Sequence, residues 1–512
     1  MEVGRLRWHR RDFLTRLHKV TNPHETSLRY PDMRPPHLHP CWLIWFCLAA
    51  CAAQLPSTPS AKGEPQGTSI EQAVQLAKAH RYKEAAAAIR GVPEPSDVQQ
   101  RLTFLRVRAS IESGLGNSKA AATDMQAAAK LDPQNEQLRA AAALAHLEAQ
   151  LDAHQDPGPS LKVLRAMQLP PGGELEVRLH TAEILSRRHL YAQAASDYSE
   201  AAKLAPDRPD IFFNLALAHY YNSDWNTALE NANRAKALED TGSTESLLGD
   251  IHEKRGNALD AVHCYQVAVS LEPNVERHRL TLAAELLRHQ TFDAAIVVLE
   301  QAAILFPESA HVRVLLGLSY YLVDRSTDAV HTLLEATGLS DDSGLAVRYL
   351  GEITLLDTAA PDPAAIAKIC AFADSHPASE TANAFCGGVM LRASQEAGDD
   401  AHREEILRRL REATRVAPME SAARCQFGKG LEWAQQWHEA RTQLEACIRL
   451  TPRSPEGHYH LARVYRHLGL TSLAAQQTRL QEQTAKAESD ESVRRANTVS
   501  RFLVLFGDAK TD

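Results

Sequence analysis

The short motifs of common catalytic chemistry are missing from this chain. It has no H-E-x-x-H, no C-x-x-C, no G-x-S-x-G and no P-loop, and His252-Glu253 and His438-Glu439 both lack the second histidine of a helical zinc site. The 23 histidines are scattered, and His458 and His460 fall on different sides of a helix. Basic residues do not predominate: 56 Lys and Arg face 64 Asp and Glu, and a formal net charge of -8 leaves no electrostatic footprint for nucleic acid. Aromatics are only 6% and glycines only 24, a poor composition for large sheets. Long apolar runs are missing too. The run from Trp42 to Ala53 covers 12 residues, too few to cross ~30 Å of hydrocarbon comfortably. What the chain has instead is alanine, which suits closely packed helices. Its 512 residues exceed one typical core, so it holds either several domains or an array whose units bury surface only on their neighbours.

The apolar run near the N-terminus has a basic flank. Residues 1–40 carry eight Lys or Arg against four Asp or Glu and lead into CWLIWFCLAACAAQ, the order of a secretory signal: basic flank, apolar core, small residues at a cut site. The core ends in Leu48-Ala49-Ala50-Cys51, which resembles the bacterial lipobox, whose cysteine is acylated and becomes the first mature residue. Ordinary cleavage after Ala50-Cys51-Ala52 competes with that reading, and an uncleaved stub of a cytoplasmic protein is a third. Met33 begins a signal of conventional length, whereas Arg10-Arg11, similar to a twin-arginine motif, stands too far from the apolar core. Residues 1–53 read as a targeting segment and 54–67 as a linker.

Beyond residue 68 the text repeats. Ala261, Ala268 and Pro273 return 34 residues later as Ala295, Ala302 and Pro307. With Pro307 as position 32 of a 34-residue unit, units begin at Leu175, Pro209, Gly242, Glu276 and Ala310, the second being one residue short. Position 8 reads Ala182, Ala216, Gly249, Ala283, Gly317; position 20 reads Ala194, Ala228, Ala261, Ala295, Ala329; position 27 reads Ala201, Ala235, Ala268, Ala302, Ala336. Apolar residues recur at helical spacing around positions 4, 7, 8 and 11 and again around 17, 20, 24 and 27, so each unit is two helices. Turn formers such as Asn222-Ser223-Asp224 and Arg255-Gly256-Asn257 separate them, and proline, which lacks the backbone donor, ends the pair. Positions 8, 20 and 27 are expected where the paired helices approach most closely. A larger side chain there costs about 1 to 3 kcal/mol of overpacking.

This register resembles the tetratricopeptide repeat, although leucine, histidine or alanine often replaces the aromatic residues usual at positions 11 and 24. The resemblance covers roughly residues 68–488, in eleven or twelve units: partly degenerate repeats over 68–174, five regular ones over 175–343, degenerate repeats with longer loops over 344–420, and C-terminal repeats over 421–488. A capping helix and tail are expected over 489–512, ending in the apolar run Phe502 to Phe506. The resemblance implies an all-α, right-handed superhelical solenoid of antiparallel helix pairs, with first helices lining a concave groove. At the groove positions the regular units offer Phe213, Asn214, Leu217, Tyr220 and Tyr221, then Leu280 and Leu287, then Val314, Leu318, Tyr321 and Leu322. Either this apolar stripe receives a peptide or helical segment of another protein, or neighbouring helices cover it. A chain-terminal carboxylate suits the face poorly. Only Asn214 and Arg277 are candidate donors, and Glu183, Asp250 and Glu253 would repel it. Toward the C-terminus Lys429, Arg463, Arg466 and His467 make the same positions basic, which reads as a solvated face or an acidic partner's site.

After Cys51 five cysteines remain, an odd number that argues against a full disulfide framework. Cys447 stands at position 27, where a small buried thiol replaces alanine. In an exported protein Cys370 could pair with Cys386, or Cys425 with Cys447, subject to Cα distances that sequence does not fix. The repeats leave no uninterrupted stretch of ~100 residues for a catalytic domain. The expectation is a non-enzymatic interaction scaffold without metal or cofactor, exported and anchored by lipid at Cys51 or simply secreted. The alternative is a structural protein that assembles with itself through its end faces and tail.

Overall fold

The computed structural model describes residues 70–339, 344–356 and 360–488. Among these residues there are 24 helices and no strand. The all-α array of antiparallel helix pairs expected from the register is the architecture found. The targeting segment with Cys51, and the tail with Phe502 to Phe506, lie outside the described residues. The chain divides into two compact units, one ending at Ala268 and the other beginning at Val269.

In the first unit the helices follow the repeat register. Pro171–Arg187 pairs with Tyr191–Leu204, and Pro209–Tyr221 with Trp225–Leu238. Proline opens two of these helices, at a position whose amide has no partner within the helix. Ala182, Ala194, Ala201, Ala216, Ala228, Ala235, Ala261 and Ala268 are all fully buried, as expected of residues that set the distance between helices. Glycine at position 8 has a steric cause. A Cβ on Gly249 would lie 2.5 Å from the ring of Tyr265, the residue at position 24 of the same pair. Buried Asp197 links a degenerate pair to a regular one, because it receives Arg165 at 2.6 Å and Arg178 at 3.0 Å.

The described turns inside the pairs share one solution. His80, Gly116, His154, His189, Ser223 and Gly256 have φ between 54° and 80°, each at the junction between two helices. The amide after each turns back to the preceding helix, as Asp224 N donates to His219 O and Asn257 N to His252 O, both at 2.9 Å. This six-to-one bond satisfies a carbonyl that the helix end would leave unpaired. Gln290, Asp324, Gly398, Gln435 and Gly469 repeat the device in the second unit.

The second unit packs Glu276–Arg288 with Phe292–Leu305 and Ala310–Leu322 with Ser326–Ala336, and its alanines at positions 8, 20 and 27 are likewise fully buried. The register then loosens. Helix Glu380–Ala397 has 18 residues where Glu276–Arg288 and Ala310–Leu322 have 13, and Gly398 ends it. Two disulfides follow, one in this stretch and one in the C-terminal repeats beyond it. Cys370 of Pro363–Ser375 is joined to Cys386 of Glu380–Ala397, Cα to Cα 4.8 Å, and Cys425 of Ser421–Trp433 to Cys447 of Trp437–Leu450, Cα to Cα 5.0 Å. The expectation that Cys447 is merely a small buried thiol is therefore corrected, since its sulfur is bonded to the preceding helix. Cys264 remains a free buried thiol, pushed up to about 12 chiefly by burial and then by the nearby Glu245 carboxylate.

Candidate partner-binding surface

Phe213, Leu217 and Tyr221 occur four residues apart on helix Pro209–Tyr221, a spacing that puts them on one face. All three are half-buried. They rest on Tyr220, Leu247, Leu248 and Ile251, of which the last three come from the next first helix, Gly242–Lys254. Tyr221 also stacks on Tyr191, with ring centroids 4.8 Å apart and planes at 21°, and meets Tyr220 edge-on at 5.4 Å. Asn214 and Tyr220 themselves are buried. Tyr191 was not among the expected groove residues because it opens a second helix, outside the positions expected to line a groove; an aromatic ring at position 17 was the available signal.

The corresponding residues of the second unit are arranged differently. Leu280, Leu287, Val314, Leu318 and Leu322 are buried, between 0% and 3% exposed, and only Tyr321 is half-buried. Helices Glu276–Arg288 and Ala310–Leu322 contact each other as well as their own second helices. The expectation that these five side chains are open to a partner is thus corrected: packing between consecutive first helices has drawn them into the core. The half-buried groove residues are Phe213, Leu217 and Tyr221 within the first unit, and Tyr321 alone within the second.

The first helices before and after Pro209–Tyr221 carry the carboxylates expected to repel a chain-terminal carboxylate. On helix Pro171–Arg187 the buried imidazole of His180 lies 3.5 Å from Glu176 and 3.7 Å from Glu183. Burial alone would lower the His180 pKa, but the neighbouring Glu176 and Glu183 carboxylates outweigh it and hold it above the ordinary value. Asp250 accepts a hydrogen bond from the Tyr265 hydroxyl at 2.6 Å. The basic C-terminal face is largely neutralised. Lys429 pairs with Glu456, Arg463 lies 3.0 Å from the buried Glu432, and His467 stacks on Trp437. Among the described residues no cluster of three or more His, Cys, Asp or Glu could hold a metal ion, and no helix is long and apolar enough to cross a membrane.

Residues 280–344 and 425–486 match the tetratricopeptide repeat family. No curated protein matches the chain. Several solved tetratricopeptide-repeat and related structures are similar at low identity. YrrB, described as a protein with an unusual peptide-binding site, is 19% identical over 34% of this chain and 90% of its own, with a TM-score of 0.29. The Cut9-Hcn1 hetero-tetramer of APC/C is 13% identical over 85% and 83% of the two chains, TM-score 0.32, and yeast Tom70 is 14% identical over 82% and 98%, TM-score 0.34.

Proposed function

We propose that this protein is an exported, non-catalytic scaffold that holds a peptide or helical segment of another protein against the apolar face of helix Pro209–Tyr221. The observation that carries the reading is the line Phe213, Leu217 and Tyr221, supported from beneath by Tyr220, Leu247 and Leu248 yet only half-covered. Side chains at that spacing form a strip that matches apolar anchors repeated along a partner helix. The two disulfides support export, because such bonds persist in oxidising compartments and are rare in the cytosol. The signal-like segment before Cys51 supports it from the sequence, with acylation of Cys51 as the means of attachment to a membrane.

Placing a photo-crosslinking residue at Ser243, on the first helix that follows, and comparing capture with and without Phe213→Ser and Tyr221→Ser tests the surface. A partner captured only by the unaltered face supports the reading; an identical set from both forms removes that face as the site. Mass spectrometry of the mature N-terminus decides Cys51, since a diacylglyceryl-modified Cys51 and an unmodified later residue are distinct products. The self-assembling alternative draws on Val297 and Ile304, exposed at 53% and 80% on the outer face of Phe292–Leu305. A monomeric mass in sedimentation that does not change with concentration would exclude it.

A further inference from the structure

The two disulfides lie beyond the five regular repeats, Cys370–Cys386 in the degenerate stretch and Cys425–Cys447 in a C-terminal repeat that returns to the register. Among the described residues neither bond lies within the regular repeats, where alanine at positions 8, 20 and 27 brings the helices together without a covalent link. Cys370–Cys386 ties the second helix of one degenerate pair to the unusually long first helix of the next. Cys425–Cys447 ties the two helices of the following pair, and the next first helix packs directly on it, for a Cβ at Gly457 would lie 3.1 Å from the Cys447 sulfur. Each bond has one half-buried and one fully buried end: Cys370 and Cys425 are partly exposed, Cys386 and Cys447 are not exposed at all.

We propose that these bonds make folding of the C-terminal repeats conditional on oxidation, while the N-terminal unit folds whatever the thiol state. In a repeat array each pair is held chiefly by its neighbours, so a junction can open without unfolding distant repeats. The bonds span sequence separations of 16 and 22 residues. Closing a loop of about 15 residues shifts an opening equilibrium by roughly a hundredfold. The chemistry balances with a dithiol as the reductant. Its thiolate attacks the accessible sulfur, Cys370 or Cys425, forming a mixed disulfide and expelling Cys386 or Cys447 as a thiolate that takes up a proton. The second thiol of the reductant then releases the accessible cysteine, leaving two protein thiols and one oxidised dithiol, two electrons having moved. Oxidation by a protein disulfide runs the same steps in reverse.

Hydrogen exchange of the full chain, oxidised and after dithiothreitol, with maleimide mass labelling to verify the thiols, tests this. Reduction is expected to speed exchange by about a hundredfold in residues 363–450 and to leave 98–254 unchanged. Unchanged exchange at 363–450 in chains whose thiols are all labelled would overturn the proposal, as would equal loss of protection in both units. A C370S/C386S/C425A/C447A variant keeps the test independent of reductant access. Under oxidising conditions it should exchange rapidly over 363–450 and ignore dithiothreitol; wild-type protection there would equally overturn the proposal.

Discussion

The rings of Trp437 and His467 lie face to face, with centroids 4.0 Å apart and planes within 8°. They belong to consecutive repeats and are 30 residues apart, the indole at position 17 of one unit and the imidazole at position 13 of the next. Tyr191 and Tyr221 repeat the relationship in the first unit at the same separation. A ring at the start of a second helix thus clasps a ring at the end of the following first helix. The contact spans the interface between repeats, where alanine supplies close approach but little area.

A double-mutant cycle at Trp437 and His467 should show coupling of about 0.5 to 1.5 kcal/mol, the usual range for stacked rings. Trp437→Ala should cost more than His467→Ala, because the indole is half-buried and the imidazole exposed. Opening of helix Pro455–His467, followed by hydrogen exchange, is the measurement. Additive single effects would reduce the stack to a surface coincidence.

Left-handed turn residues are a second place where stability should respond to single substitutions. Gln290 and Gln435 hold φ of 58° and 61°, in the left-handed region that a side chain disfavours by roughly 1 kcal/mol or more. Gln290→Gly and Gln435→Gly should each raise stability by up to about 1 kcal/mol, read as a higher urea midpoint. Gly256→Ala, at φ 78°, should lower it by a similar amount. A midpoint that falls in both glycine variants would mean the side chains contribute more than the backbone strain removes.

The repeat register was legible in sequence because it is set by steric limits at single positions. Ala194, Ala228 and Ala295 are fully buried between paired helices, so that their small size nearly states their surroundings. The surface was less legible. Leu318 and Leu217 occupy the same position in their units, yet one is buried and the other half-buried, since cover depends on how the next first helix packs. That distance is a property of several repeats together and is not written in any one of them. The cysteine partners were visible as candidates only, because pairing needs Cα separations that the register does not fix once the 34-residue spacing breaks down.

Glycine at position 8 should be intolerant of even one methyl group where position 24 is large. Gly249→Ala would put its Cβ 2.5 Å from the Tyr265 ring, which is held by the hydrogen bond from its hydroxyl to Asp250 and is 2% exposed. The expected loss is about 1 to 3 kcal/mol, measured by chemical denaturation. Restoring room with Tyr265→Leu in the same chain should recover part of that loss. A double variant no better than the single one would show that the backbone, rather than the ring, limits the site.

Stability should also depend on pH through two buried groups of opposite sign. His180 is buried against the Glu176 and Glu183 carboxylates, which raise its pKa above the ordinary value against the opposing effect of burial. Since the folded-state pKa is the higher one, the stabilisation is complete below the unfolded-state value of about 6.5 and disappears as pH rises through the folded-state value. Glu285 works in the opposite direction: burial would raise its carboxyl, but the hydrogen bond from His289 and the Arg288 charge hold it below the ordinary value. Its contribution is present above about 4.3 and is lost as pH falls through the depressed folded-state value. The His180→Gln variant should therefore lose stability relative to wild type at pH 5.5 and lose less at pH 8.5, whereas Glu285→Gln should lose stability at both values. A His180 variant with the same deficit at both pH values would show that the imidazole acts by packing alone, and a midpoint below about 6.5 in an NMR titration of the His180 ring would establish the same point directly.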